Sequence, residues 1–286
     1  GSSIKQRITD KLAGILENSY TLNSFALGEK TAGEFYKKLV KINPVLLKGY
    51  VSSLIVLANY MKENNLPPNR NLRALSGTSE MILPAHRALL ENTFSVPFYD
   101  QYGCGEASAV SYECTGHKGL HINEEHVIVE CLNDNNTNIL DAPGRVVVTT
   151  LDNFIMPFIR FENGDIASLY SQKCSCGISS HLMSHVDGRV VETITVRNGG
   201  KVHGVFFSDI LFELNINTDL IKRFQVSQHK DGSVDFLLET PYTIPESLQK
   251  KLEMSLLRFL DNVNIKVVPF IPSEKNGKFR YIRQVD

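Results

Sequence analysis

Apolar residues recur at three- and four-residue intervals in "TAGEFYKKLVKIN" (31–43) and "YVSSLIVLANYMKENN" (50–65). That spacing predicts two amphipathic helices, stopped by Pro44 and by Pro67-Pro68. "LRALSGTSE" (72–80) reads as a short buried strand entering a Gly-Ser-Thr loop. Pro84 then opens the helix "PAHRALLENTF", a position proline favours. "VPFYDQYGCGE" (96–106) is a second strand, ending in a glycine-rich turn. A strand, a small-residue loop and a helix in repeated order predict an α/β sheet with its loops gathered at one edge.

Further along, the period shortens to two. "EHVIVECL", "GRVVVTTL" and "MPFIRF" are short, β-branched and separated by Asn, Asp and Gly, which predicts a small antiparallel sheet or barrel. "VETITVR" and "KRFQVSQHKDGSVDFLLE" predict more strands, the second a hairpin turning at Asp231-Gly232. The helix "PESLQKKLEMSLLRFLDN" places Leu248, Leu252, Leu256 and Phe259 on one face, and the strand "NIKVVPF" follows. The expected division is a core over 1–187 and a compact α+β domain over 188–286, a normal size for a small domain.

Composition narrows the class without naming a function. The 286 residues are 42% hydrophobic and 21% charged, with net charge -1, so no basic field points to nucleic acid or an anionic membrane. No apolar run approaches the roughly 18 residues of a membrane span. Five cysteines, an odd number, favour a reducing cytoplasm over a disulfide framework. The expectation is a soluble cytoplasmic protein.

Five stretches could carry chemistry. "YGCGE" (Tyr102 to Glu106) offers a ring, backbone N–H groups freed by glycine, and a carboxylate able to hold a hard cation such as Mg²⁺. Taken singly it reads better as a tight turn with a solvated Glu. "RFENGD" (Arg160 to Asp165) sets a turn ending in a carboxylate suited to vicinal hydroxyls, or a plain hairpin tip. "SGTSE" brings backbone groups and the hydroxyls of Ser76 and Thr78 around Gly77, or is a capped loop. "CSCG" carries Cys174 and Cys176, and "ECTGHKGLH" carries Cys114, His117 and His121. Three thiolates and one imidazole close a structural zinc site, with either histidine available as the fourth ligand. Cys104 and Cys131 read as core or pocket residues.

In order, "LKGYVSSL", "DQYGCGEASAV", "YEC", "GLHI", "GRVVVTTLDNFIMPFIRFENGD", "CSCG", "VDGR", "FQVSQ" and "IPSEKNGKFR" resemble the adenylate-forming ligases. The similarity is to the phenylacetate–CoA ligase and CapK-type capsular polysaccharide biosynthesis branch, from about Asn43 onward. It implies part of a large AMP-binding core, an α/β sheet with a small β-barrel-like subdomain, followed by an α+β C-terminal lid. It implies activation of a carboxylic acid with ATP as an acyl-adenylate, then transfer to coenzyme A or to an amine or sugar. By resemblance Lys278 and Glu106 are the catalytic residues, Lys278 bridging carboxylate and α-phosphate and Glu106 holding Mg²⁺. Ser76, Gly77, Thr78, Tyr102, Gly103, Asp165 and Arg189 surround ATP or AMP, with Tyr102 near adenine and Asp165 on the ribose. Cys114, His121, Cys174 and Cys176 would hold the zinc. The acid would lie near Gly49–Leu54 and Ala107–Val110.

Three departures qualify what the resemblance implies. Gly105 stands where the family has Thr or Ser before the glutamate. Val191 and Glu192 replace the usual paired acids at the hinge. No Ser/Thr/Gly-rich phosphate loop followed by lysine occurs in the chain. The expectation is therefore an N-terminally incomplete core, served by a missing segment or a partner chain, and compatible with a homodimer. The alternative is a degenerate relative that binds a nucleotide or a partner without turnover.

Overall fold

The computed structural model describes residues 31–186, 188–189, 193–214, 220–272 and 279–285, with positions 14, 16–22, 27 and 216. Helix α1 (Ala32–Ile42) ends at Asn43, whose φ of 53° closes it in the left-handed conformation just before Pro44. Strand β1 (Leu46–Tyr50) leads into α2 (Val51–Glu63), then β2 (Ala74–Thr78), α3 (Pro84–Phe94) and β3 (Phe98–Cys104). The three strands pair in parallel, β1 with β2 and β2 with β3, because each connection is a helix packed on the sheet. Phe35, Leu54, Met61, Leu75, Leu90, Phe94 and Phe98 form the core beneath.

Antiparallel strands β4 (Ser108–Glu113), β5 (Leu120–Ile122) and β9 (Leu182–Met183) extend this sheet to six, in the order β1-β2-β3-β4-β5-β9. Strands β6 (Val127–Leu132), β7 (Pro143–Thr150), β8 (Phe161–Ser168) and β10 (Gly188–Arg189) make a second sheet, ordered β10-β8-β7-β6. The two share a core that includes Tyr102, Val110, Leu120, Val129, Val146, Val148 and Met183. An isolated bridge between Leu169 and Met183 ties them at one corner. Two sequence expectations change here. "MPFIRF" is not a strand: only Phe161 enters β8. Pro157 has no N–H to pair, and threonine hydroxyls hold the backbone, with Phe158 N–H donating to Thr150 Oγ1 and Arg160 N–H to Thr149 Oγ1. "RFENGD" is no hairpin tip, since Phe161 to Asp165 run inside β8.

The third core contains a short hairpin, β11 (Ile194–Thr195) with β12 (Lys201–Val202), and helix α4 (Gly204–Glu213). A sheet ordered β15-β14-β13-β16 follows, from β13 (Arg223–His229), β14 (Val234–Glu239), β15 (Val263–Val268) and β16 (Ile282–Val285). The β13–β14 turn falls at the expected place, with Gly232 at φ 84°. Helix α5 (Glu246–Leu256) buries Leu252 and Leu256 against this sheet, as its spacing predicted. Helix α4 was not foreseen because "GVFFSDILFE" is apolar around most of its circumference and shows no stripe.

This third core meets the first at α3. Leu83, just before α3, packs among Ile194, Phe207 and Phe236. His86 is buried at the seam, with Nε2 3.4 Å from the Lys222 carbonyl and Nδ1 3.4 Å from the Tyr281 hydroxyl. A carbonyl only accepts, so Nε2 carries the proton and Nδ1 accepts from Tyr281. Burial drives the His86 pKa down to about 4, with Arg223 nearby adding to the fall against the Lys222 carbonyl. A depressed histidine contributes stability that is present above the unfolded value of about 6.5 and lost as pH falls toward the folded one. Acid scans should therefore show the wild-type chain losing about 3 kcal/mol more than His86→Gln between about pH 6.5 and 4. Parallel curves in urea titrations would remove His86 from this role.

Candidate functional site

The parallel strands β2 and β3 end at the same edge of the sheet, the edge where open α/β sheets bind ligands. A cleft of about 520 Å³ opens there. Its walls are Thr78 to Ile82, Asp100 to Gly105, Ser108 and Ala109, together with Asp165, His185, Val186 and Gly188. Gly204 and Phe279 to Ile282 close it from the third core. A larger space of about 870 Å³ lies behind α3, lined by Leu66, Leu83, Leu89, Leu211, Ile221 and others. It contains neither Tyr102 nor Asp165, so the smaller cleft is the candidate site.

Tyr102 and Asp165 come from different sheets and meet at the floor of the cleft. The buried Tyr102 hydroxyl donates to Asp165 Oδ2 at 2.8 Å, and Asn163 Nδ2 donates to the same hydroxyl. Burial and the neighbouring Asp165 carboxylate push the Tyr102 phenol far up, so it stays protonated and acts as donor. The ladder between β3 and β4 shifts register at Tyr102/Gly103. A Cβ on Gly103 would sit 2.2 Å from the Ser108 carbonyl oxygen, so only glycine permits that approach.

Below the cleft lies a charged network. Arg87 of α3 donates through Nη2 to both oxygens of buried Glu113 at 3.0 and 2.9 Å, and Asp100 N–H donates to Glu113 Oε2. His185 Nδ1 lies 2.8 Å from Asp100 Oδ2. Burial opposes protonation of His185, yet the Asp100 and Glu113 carboxylates raise its pKa above the ordinary value. Glu80, at the cleft wall, is held above the usual carboxylate range by burial, against donors from Ser52 and Phe279. Sequence reasoning missed Asp100, His185, Arg87 and Glu113. It quoted Glu80 only as the end of "SGTSE", where a carboxylate after a small-residue strand was the available signal.

The other expected residues scatter. Thr78, Gly103 and Gly105 line the cleft, whereas Ser76 and Gly77 lie further back inside β2, which runs through to Thr78 instead of opening into a loop. A Cβ on Gly77 would meet the buried Phe98 ring at 2.3 Å, which gives this glycine a packing role. Glu106 is exposed in the three-residue turn between β3 and β4. Arg189 lies in β10, but its side chain, like all of Val191, Glu192 and Lys278, falls outside the described residues.

The cysteine motifs converge on a separate cluster. Donor atoms of Cys114, His121, Cys174 and Cys176 lie within 4.8 Å of one another. Cys114 Sγ is 3.7 Å from Cys174 Sγ, and Cys176 Sγ is 3.2 Å from His121 Nε2. A tetrahedral zinc ion about 2.3 Å from each sulfur leaves thiolates about 3.8 Å apart, so the donor set fits that metal. Backbone N–H groups of Gly116 and Ile178 donate to Cys114 and Cys176. The Cys176 N–H and His121 pull the Cys174 thiol down to about 6. His117 is excluded from the cluster: it stacks on Tyr99 and pairs with Glu113 at 3.1 Å.

No family model matches the chain. CapK of Staphylococcus aureus is 24% identical over 274 residues, 92% of this chain and 58% of that protein. A phenylacetate–coenzyme A ligase of Thermus thermophilus is 26% identical over 156 residues, 53% of this chain and 34% of that enzyme. The chain thus spans between a third and three-fifths of the curated relatives it matches. The structure of 2-hydroxyisobutyryl-CoA ligase in its postadenylation state superposes with a TM-score of 0.74 at 18% identity, over 89% of this chain and 57% of that one. The same ligase in its thioesterification state gives 0.55. Anthranilate CoA ligase AuaEII with anthranoyl-AMP gives 0.64 at 15% identity, over 88% of this chain and 51% of that one. The chain has the fold of the adenylate-forming ligases and is related in sequence to their phenylacetate–CoA ligase and CapK branch. Gly77→Ala separates packing from ligand approach. It should cost about 1–3 kcal/mol in urea denaturation, with nucleotide affinity unaltered at temperatures where the variant is folded. A weakened affinity at full stability would reverse that assignment.

Proposed function

We propose that this relative of the adenylate-forming ligases takes part in ATP-dependent activation of a carboxylic acid. The observation that carries the reading is the Tyr102–Asp165 pair at the carboxyl ends of β2 and β3. It faces a cleft also walled by Phe279 to Ile282, the residues that follow Lys278. Asp165 is suited to accept from ribose hydroxyls, and the Tyr102 ring borders the base. Glu106 offers the hard oxygen that Mg²⁺ takes, and the ion's charge would offset that of the phosphates. In the first step a carboxylate oxygen bonds to the α-phosphorus, the bond to the bridging oxygen breaks, and pyrophosphate leaves. Lys278 would stabilise the negative charge that builds on the transferring group. In the second step a nucleophile attacks the acyl carbon and AMP leaves. The fold's ligase neighbours support coenzyme A as acceptor, and the CapK likeness keeps an amine or sugar in view.

Lys278→Ala should lower carboxylate-dependent ATP–pyrophosphate exchange by about a hundredfold or more. A variant as active as the wild type would refute the role given to Lys278.

The cluster of Cys114, His121, Cys174 and Cys176 is assigned to one structural zinc ion. Four protein ligands leave no open position, so the ion would tie the β4–β5 connection to the 174–176 segment and take no part in acyl transfer. Protein purified without chelator should carry about one zinc per chain, and Cys174→Ser close to none, with a lower melting temperature. Metal-free wild-type protein of unchanged stability would dismiss the site.

A further inference from the structure

Helix α2 starts without a capping side chain of its own, because Tyr50 stands at its N-cap and makes no such bond. Its first N–H groups must find an acceptor elsewhere. They find Glu80, which comes from the loop between β2 and α3. Ser52 N–H donates to Glu80 Oε2 at 2.6 Å, and Ser52 Oγ donates to Glu80 Oε1 at 2.9 Å. The positive end of the α2 dipole favours a carboxylate in this place. One further donor reaches Glu80 from the other side of the cleft: Phe279 N–H, 3.2 Å from Oε1 and 199 residues away in sequence.

That nitrogen is covalently bonded to the carbonyl carbon of Lys278. Holding it fixes the point from which the lysine departs. Neighbouring contacts also hold the 279–281 segment to the third core: Phe279 lies under the Arg223 guanidinium at 4.7 Å, and the Tyr281 ring packs on Phe224 at 5.1 Å. None of these reaches the parallel-strand core. Two hydrogen bonds that reach from this segment to the first core are Phe279 N–H to Glu80 and Tyr281 to His86.

We propose that Glu80 is a positioning residue, a carboxylate latch that docks the segment beginning at Phe279, which directly follows Lys278 in the sequence, onto the N-terminus of α2. The proposal rests on the adenylation reading for its consequence, but the latch itself is a matter of docking. Glutamine cannot replace it fully. Glu80 accepts on both oxygens, and an amide presents one acceptor and one donor, so either the Ser52 N–H or the Ser52 Oγ and Phe279 pair would face an N–H₂ group.

Two measurements on the full chain test it. The first is amide hydrogen exchange, which needs no turnover. In Glu80→Ala, the Phe279 amide and its neighbours should exchange about tenfold faster, while β13 and β14 change by less than about twofold. Unchanged exchange at Phe279, or an equal rise throughout β13 and β14, overturns the latch. The second compares the two half-reactions. Glu80→Ala and Glu80→Gln should lower the kcat of ATP–pyrophosphate exchange about tenfold or more, with KM for ATP within about threefold. Transfer from a supplied acyl-adenylate to a thiol should change little. Equal losses in both half-reactions would make Glu80 merely structural. If Lys278→Ala leaves pyrophosphate exchange intact, the role given to Lys278 fails; if the wild-type protein shows no carboxylate-dependent exchange, the adenylation reading fails; in either case the amide exchange still decides the latch.

Discussion

One buried hydrogen bond joins the two sheets at the bottom of the cleft, and the site depends on it. Tyr102 rises from the sheet that contains the parallel strands, and Asp165 sits on the antiparallel one. A carboxylate with so little exposure needs donors, since leaving it unpaired costs more than the bond returns. The phenol supplies a charge-assisted donor, and Asn163 completes the phenol in turn. This arrangement requires the register shift at Tyr102/Gly103 and the close passage of Gly103 over Ser108. Gly103 of "YGCGE" thus shapes the backbone that aims the ring.

The charges around this pair form a graded support. Arg87 neutralises Glu113, Glu113 accepts from the backbone of Asp100, and Asp100 holds His185 on the cleft wall. Each link joins a different element, so α3, β3, β4 and the segment following β9 are set relative to one another by one network. Such networks gain when every member is satisfied and are costly when one is missing. Among the described residues no buried side-chain nitrogen or oxygen lacks a partner.

The cysteine cluster and the α3 seam act on the periphery of the same site. Cys114 opens the turn after β4, whose first residues line the cleft, and His121 lies on β5. A metal ion held there would constrain the path from β8 to β9 and hence His185. At the opposite wall, His86 and Glu80 receive the third core through Tyr281 and Phe279. At the cleft, polar side chains carry the contact between the two cores, together with Leu83.

Much of this architecture was legible in the chain itself. The helices over 31–43 and 50–65, the β2–α3–β3 order, the hairpin at Asp231-Gly232 and the buried face of α5 depend on residues close in sequence, and local periodicity and turn chemistry report them, whereas the short strand β1 was not foreseen. The cysteines announced their cluster because two motifs with metal-ligand residue types occurred together. Tertiary structure alone chose His121 over His117, since the two differ only in what surrounds them: a register partner near the cysteines in one case, Tyr99 and Glu113 in the other. It also decided that Tyr102 meets Asp165 across 63 residues, that His86 meets Lys222 across 136, and that Glu80 meets Phe279 across 199. Such pairings arise from strand register and from which surfaces must be buried together, and neither is encoded in the spacing of near neighbours.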